Sequence, residues 1–165
     1  MFEDETGFSL HPRLGMGWAK RGQRLKIATT SEHRRRLNVF GWVAPLLGRM
    51  GLLRLPKGNR EGFLSCLKDL HRRLRGFTIW LYVDGAGWHK GEEVEVFLRT
   101  HTRLRLTYLP RYQPGLNAQE RVWRQLRYEA TTNRWFTSLD TIWQSVQTTS
   151  HAWTSSKIQR LCQIT

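Results

Sequence analysis

Phe77-Thr78-Ile79-Trp80-Leu81-Tyr82-Val83-Asp84 is the stretch on which the fold turns. It is short and nearly continuous in strand-forming side chains, the pattern of a buried central strand in a sheet covered by helices. It stops at a carboxylate, and the carboxyl ends of strands in open α/β sheets are where ligands bind. On its N-terminal side Phe63, Leu64, Leu67, Leu70 and Leu74 recur every three and four residues, which predicts a helix from Asn59 to near Gly76. On its C-terminal side Val94, Phe97 and Leu98 predict a second helix from about Gly91 to Thr100. Leu104 to Leu109 then alternates as a strand with one wet face.

Further out, Leu37 to Val43 and Met50 to Leu55 read as two strands of a hairpin, interrupted by Pro45 and Gly48. Phe2 to Leu10 is extended up to a turn around Pro12 and Gly15, so the first strand starts almost at Met1. After the turn-rich Pro110 to Gly115, a long helix starts at Asn117 and carries Val122, Trp123, Leu126 and Ala130. A last helix spans roughly Leu139 to Trp153. Three antiparallel strands followed by helix-linked parallel strands make an α/β mixed sheet with helices on both faces. No repeat or linker divides residues 1–165, which read as a single domain.

The 165 residues hold 27 Lys plus Arg against 13 Asp plus Glu, a net charge of +14 that asks for a polyanionic partner. Arginines dominate, and their planar fork pairs bidentately with phosphate, which favours nucleic acid over a membrane. With 39% hydrophobic residues and eight tryptophans, the chain can close a core, which excludes a disordered basic tail. No run approaches the roughly 20 apolar residues of a membrane span. Met1-Phe2-Glu3-Asp4-Glu5 is acidic where a signal peptide is basic, so a cytoplasmic chain is expected. Cys66 and Cys162, far apart and without Cys-x-x-Cys spacing, read as plain thiols.

In a protein built for an anionic partner, a carboxylate in the binding cleft needs a compensating reason, and a metal ion is the usual one. Asp4, Asp84 and Glu120 are the three candidates. If the first strand neighbours the one ending at Asp84, Asp4 and Asp84 lie side by side, and a helix crossing that edge adds Glu120. Such a set suits Mg²⁺ or Mn²⁺. Two ions about 4 Å apart can activate a water or a 3′-hydroxyl and stabilise the leaving oxygen of a phosphodiester displacement. Spacing alone leaves other readings open. Glu120 stands three residues after Asn117, as in a capping box, and Asp84 before Gly85 is an ordinary turn former. Strand alternation puts Phe2, Asp4 and Thr6 on one face and Glu3 and Glu5 on the other, without saying which face matters.

Three blocks carry a family resemblance. They are Asp4-Glu5-Thr6-Gly7-Phe8 with Trp18-Ala19-x-x-Gly22, then Val83-Asp84-Gly85-Ala86-Gly87-Trp88-His89, then Leu109-Pro110-Arg111-Tyr112-Gln113-Pro114-Gly115-Leu116-Asn117-Ala118-Gln119-Glu120-Arg121-Val122-Trp123. In this order they closely resemble the signature blocks of bacterial insertion-sequence transposases of the mariner-like superfamily, whose catalytic part is a DDE endonuclease domain. The 35 residues between Asp84 and Glu120 are close to that family's spacing. The resemblance implies a ribonuclease H-like fold, with Asp4, Asp84 and Glu120 as the catalytic triad holding two divalent ions (Mg²⁺ or Mn²⁺) for DNA cleavage and strand transfer.

By the same resemblance, His89 is an auxiliary residue that contacts the scissile phosphate or orients a carboxylate, with a surface histidine as the alternative. Trp88 and Trp123 are expected to pack rather than stack on bases. Two positions depart from the family pattern: Gly85 stands where Asn is usual, and Ala118 where a Pro commonly opens the helix. Members carry helix-turn-helix domains before the first catalytic Asp, whereas three residues precede Asp4 here. The expectation is therefore a catalytic domain lacking the end-recognition region, with its first strand cut short and part of the sheet's edge pairing missing. Such a chain is either a truncated remnant or the downstream product of a split reading frame.

DNA contact is expected from Arg34, Arg35, Arg36, Lys90, Arg111, Arg121, Arg124 and Arg127. Arg121, Arg124 and Arg127 share one helix face, though a solvated basic face has the same pattern. The implied target is a TA dinucleotide and the implied assembly a homodimer, working at the nucleoid. The alternatives are a catalytically silent DNA-binding or dimerisation module and a ribonuclease acting on RNA:DNA hybrids.

Overall fold

The computed structural model describes residues 1–163. Five strands form one sheet: β1 (Phe2–Ser9), β2 (Arg36–Ala44), β3 (Arg49–Leu55), β4 (Ile79–Val83) and β5 (Leu104–Tyr108). They lie in the order β3-β2-β1-β4-β5. The β1–β2 and β2–β3 pairs are antiparallel, and the β1–β4 and β4–β5 pairs are parallel, giving the mixed sheet that the strand signals predict. The helices are α1 (Arg60–Arg73), α2 (Glu92–Thr100), α3 (Ala118–Ala130), α4 (Leu139–His151) and α5 (Ser155–Cys162).

Local chemistry sets the boundaries. Between β2 and β3, Pro45 opens a single 3-10 turn and Gly48 closes it at φ 57°, where a side chain would be strained. Asn59 caps α1 by accepting from the Gly62 amide at 3.0 Å. Ser138 and Thr141 form a reciprocal capping box at α4.

Alternation along the strands divides the interior in two. On one face Phe8, Leu37, Val39 and Val43 pack against Val122, Trp123 and Leu126 of α3, Ile142 and Val146 of α4 and Ile158 of α5. On the other, Phe40, Trp42, Ile79, Leu81 and Val83 pack against Phe63, Leu67 and Leu70 of α1 and Val94 and Phe97 of α2. The two free cysteines are both buried, Cys66 in the second cluster and Cys162 in the first. At Gly41, directly across from Asp4 in the β1–β2 register, a β-carbon would overlap the Trp123 ring and come within 2.7 Å of the Gln119 amide nitrogen. The missing side chain lets α3 lie directly on the sheet.

The stretch before Asp84 forms an interior strand, flanked on both sides, but it is not buried throughout. β4 starts at Ile79, is fourth of five strands, and leaves Trp80 half exposed under Arg105, whose guanidinium lies 5.0 Å from the ring centroid. α3, α4 and α5 gather over β1 and β2, so Trp80 alternates onto a face that they do not fully cover.

β1 is the middle strand of the five and starts at Phe2, and its pairing on the β4 side is short. It pairs with β2 along its whole length, and with β4 it shares one registered pair, Phe2 with Tyr82, next to the Tyr82 amide bond to the Met1 carbonyl. The helix expected over Leu139 to Trp153 is α4, and a further helix that the sequence reading did not include follows it. α4 ends at His151, and Thr154 caps a separate α5 by accepting from the Lys157 amide at 3.2 Å. That short helix packs against α3 and the turn after β2.

Candidate active site

The site is built on the consecutive acids of β1. Their alternation turns Asp4 and Thr6 toward α3, and Glu3 and Glu5 toward His89 in the 3-10 turn Gly87–His89. Asp84 follows β4 directly. Its Oδ1 accepts from the Ala86 amide at 2.9 Å, an Asx turn, and lies 2.9 Å from His89 Nδ1. This one carboxylate thus forms the turn expected before Gly85 and also contacts His89.

Glu120 sits in the first turn of α3, but the capping box suggested by its spacing is not what holds that helix start. Asn117 caps through its own side chain, accepting from the Gln119 amide at 3.0 Å. The Asn117 amide group donates to the Glu3 carbonyl at 3.2 Å, tying α3 to β1. The Asn117 backbone N–H is taken by the Pro114 carbonyl at 3.0 Å, and the Glu120 side chain is exposed.

Asp4, Asp84 and Glu120 line a single cleft of about 380 Å³, together with Gly85, Ala86, Asn117 and the loop from Leu109 to Pro114. Burial, and then the negative charges of Glu120, Glu5 and Asp84, push the Asp4 carboxyl up to about 8 against one opposing hydrogen bond from the backbone. Asp4 Oδ2 is buried without a donor. A crowded carboxylate with an orphaned oxygen, facing two further carboxylates across an open cleft, fits a hard divalent cation. At Gly85 a β-carbon would meet nothing within 4 Å, so the cleft has room for a larger residue there.

His89 is fully buried, which removes the surface-histidine reading. Its ring packs on Phe63 with centroids 4.4 Å apart. Nδ1 lies against Asp84, and Nε2 is 3.1 Å from Glu5 Oε1 and 3.7 Å from Glu3 Oε2. Burial alone would lower its pKa, but the Glu5 hydrogen bond and charge, then the Asp84 contacts, raise it. Trp88 is partly exposed and donates its indole N–H to Glu5 at 2.6 Å, while Trp123 is a buried packing residue. Burial and the charges of Glu5, Asp4 and Asp84 push the Glu3 carboxyl well above the usual carboxylate range. Burial, then the charges of Glu3 and Glu5, also push up the Cys66 thiol.

A second groove of about 500 Å³ shares Pro114, Asn117 and Glu120 with the acid cleft and continues along Arg13, Arg121, Arg124 and Arg127. Arg121, Arg124 and Arg127 are therefore brought together, with unequal freedom. Arg124 is exposed, whereas Arg121 donates to the Cys162 carbonyl at the end of α5 at 2.6 Å. Arg127 donates to Thr6 Oγ1 and lies over the Phe8 ring at 6.0 Å.

Arg111 lines the acid cleft itself, and Lys90 sits 4.9 Å over the Tyr108 ring just beyond His89. Arg34 and Arg35 end the long connection between β1 and β2, Arg36 opens β2, and none of the three lines either cleft; Arg35 is paired with Glu32 at 2.7 Å. Sequence reasoning missed Arg13, which a loop bridge to Thr132 holds at the groove. It also missed Glu3 and Glu5 as the partners of His89; the period-two alternation that turned Asp4 to one face was the available signal.

The comparison with known proteins agrees with this architecture. Solved structures of Mos1 mariner transposase share the fold. Its isolated catalytic domain superposes with a TM-score of 0.67 at 14% identity, covering 98% of this chain and 74% of that one. A pre-cleavage Mos1 transpososome gives 0.72 at 16% identity, covering 98% and 51%. The arrangement is thus the ribonuclease H-like sheet expected of a DDE catalytic domain. The sequence model described as "DDE superfamily endonuclease" matches residues 1–143, and the chain belongs to that family.

The 39 kDa protein of insertion element IS630 of Shigella sonnei is 30% identical over 156 residues, which are 91% of this chain and 43% of that protein. The protein y4pE/y4sA of Sinorhizobium fredii is 33% identical over 105 residues, 63% of this chain and 75% of that one. The chain therefore spans less than half the length of the Shigella relative.

Proposed function

We propose that this chain is the catalytic domain of a DNA transposase, cutting DNA at element ends and joining the freed 3′ ends to target DNA with divalent-metal help. The observation that carries the reading is the junction of two clefts. One is walled by Asp4, Asp84 and Glu120 and the other by four arginines, with Glu120 belonging to both. A phosphodiester backbone tracked by Arg13, Arg121, Arg124 and Arg127 runs into the carboxylates, so affinity comes from phosphate contacts and chemistry from the acids beside them. Asp4, Asp84 and Glu120 would hold the divalent metal, which would supply activation of the attacking oxygen and stabilisation of the leaving one. The chain's own part is to hold the acids. β1 and the Asn117 bond to the Glu3 carbonyl orient Asp4 and Glu120, and the Asx turn and His89 orient Asp84.

The finer parts of the reading are two ions, Mg²⁺ or Mn²⁺, held by Asp4, Asp84 and Glu120; a homodimer; a TA target; and action at the nucleoid in the cytoplasm. The metal and the DNA partner draw support from the relatives, whereas the ion count, the homodimer, the TA target and the nucleoid rest on the resemblance of the sequence blocks alone. Solved Mos1 complexes are described as paired-end complexes with a left transposon end and with Mn or Mg. Arg111 and Lys90 flank the acid cleft and are further phosphate contacts in this reading. Arg34, Arg35 and Arg36 belong to an outer track. Among the described residues no helix is long and apolar enough to cross a membrane. In this reading the single domain over residues 1–165 carries the catalytic role.

The test is calorimetric titration of Mn²⁺ into the chain and into Asp84→Asn, with nicking of supercoiled DNA followed in parallel. Uptake that weakens in the variant together with nicking is expected. Uptake unchanged by Asp84→Asn, or none at all, overturns the catalytic reading in favour of a silent DNA-binding module.

A further inference from the structure

We propose that Glu3, Glu5 and His89 form a second cation site, behind β1 and separate from the Asp4 cleft, which takes one borderline divalent ion such as Zn²⁺. One ligand atom from each of the three residues lies within 4.8 Å of the others, close enough for one ion to draw them together. An imidazole with two carboxylates is a donor set that zinc accepts.

The independent pointer is Glu3. Its side chain is fully buried, both its carboxylate oxygens lack a hydrogen-bond donor, and it points at His89 Nε2 across 3.7 Å. Among the described residues no donor repairs this. The Trp88 indole N–H is spent on Glu5, and His89 Nδ1 is engaged by the carboxylate and carbonyl of Asp84 at 2.9 and 3.2 Å. A single proton on Nε2 would have to serve Glu5 at 3.1 Å and Glu3 at 3.7 Å at once.

Charge gives the same answer. Ionised as ligands, Glu3 and Glu5 bring two negative charges into a pocket whose histidine can supply one positive charge at most. A divalent ion with neutral His89 cancels both, whereas an unpaired buried carboxylate is costly. The histidine is also oriented for the task. An Nδ1–H donated to Asp84 leaves the Nε2 lone pair facing the two glutamates, the arrangement in which a carboxylate behind a histidine fixes its tautomer for a metal. Glu5, with its side chain 15% exposed, and the partly exposed Trp88 mark the entry side.

The inference does not depend on the catalytic reading, and one experiment separates them. Zn²⁺ is titrated into the chain in excess Mg²⁺, which favours the all-oxygen cleft, and Co²⁺ is added in a parallel sample to read coordination from its visible absorption. One equivalent of Zn²⁺ per chain is expected, with affinity lowered about tenfold or more in Glu3→Gln and retained in Asp4→Asn and Glu120→Gln. Glu3→Gln is isosteric and removes a ligand carboxylate. Its thermal transition without metal, expected to be no lower than the wild type's, shows that it folds. Equal uptake by wild type and Glu3→Gln, or no uptake by either, overturns the proposal. Uptake lost in Asp4→Asn and Glu120→Gln but kept in Glu3→Gln also overturns it, by assigning the ion to the catalytic cleft and leaving the transposase reading intact.

Discussion

Asp4 and Glu3 are chain neighbours of the same charge in nearly opposite surroundings. Asp4 faces an open cleft with Asp84 and Glu120, next to four arginines that would lie along a phosphate backbone. Glu3, one residue earlier, faces a closed interior where an imidazole, Glu5 and the phenyl ring of Phe63 gather. Both carboxyls are pushed upward, and burial leads in each case. The remainder differs in consequence, because the Asp4 face can exchange ions and substrate with solvent, while the Glu3 face must resolve its charge internally. One strand thus supports an exposed chemical face and a buried electrostatic one, with Asp84 touching both through its position in the cleft and its contact with His89.

The largest expected effect breaks the open face. Asp4→Asn removes a carboxylate from the cleft while keeping its shape, and metal-dependent DNA nicking should fall by on the order of a thousandfold, the equivalent of several kcal/mol of lost transition-state stabilisation. A gel assay of plasmid relaxation in Mn²⁺ reads it, and near-wild-type nicking would remove Asp4 from the reaction.

Next comes pH. In the folded chain the Asp4 carboxyl, raised from 3.8 to about 8, keeps a proton that the unfolded chain releases. Its contribution to stability is therefore present below about pH 4 and is lost as pH climbs toward 8. Glu3 is raised from 4.5 and acts in the same direction. Metal-free protein should lose stability across that window by on the order of a few kcal/mol. Saturating Mg²⁺ should restore more at pH 8 than at pH 5, and Asp4→Asn should flatten the curve. Thermal melts with and without Mg²⁺ check this; a pH-independent transition would mean that both carboxyls titrate normally.

Gly41→Ala tests the packing that brings the two faces together. The new methyl overlaps Trp123 and crowds Gln119, so α3 must lift from the sheet at a cost of about 1–3 kcal/mol. Urea unfolding measures that cost, and cleft function should fall with it as Glu120 moves away from Asp4. The smallest effect is at the groove. Arg124→Ala should weaken binding to any DNA sequence and reduce the slope of log affinity against log salt by roughly one. Fluorescence anisotropy at several salt concentrations gives the slope, and an unchanged slope would take Arg124 off the phosphate track.

Much of this was legible in the chain. The strand and helix order followed from hydrophobic periods and from strong punctuation at Pro45, Gly48, Asn59 and Asn117. The alternation along Phe2 to Thr6 correctly separated Asp4 from Glu3 and Glu5. What failed did so for physical reasons. Phe77 to Val83 reads as buried on both faces because aromatic residues serve core and half-exposed surface equally well, and Trp80 is of the second kind. α5 was invisible because eight residues carry little periodic signal and its stability comes from docking on α3. The capping-box spacing at Glu120 was misleading, since Asn117 satisfies the helix start alone.

Composition and local pattern by themselves determined the basic character, the mixed α/β architecture and the three acids worth following, because charge, period and turn chemistry are properties of neighbours in the chain. The convergence of residues 4, 84 and 120 on one cleft was decided only by tertiary structure, as were the burial of His89 between two strands' acids and the continuation of the acid cleft into an arginine groove. Those facts depend on which strand lies beside which and on how closely α3 can approach the sheet. That approach is governed by the absent side chain of Gly41, a distance no local pattern encodes.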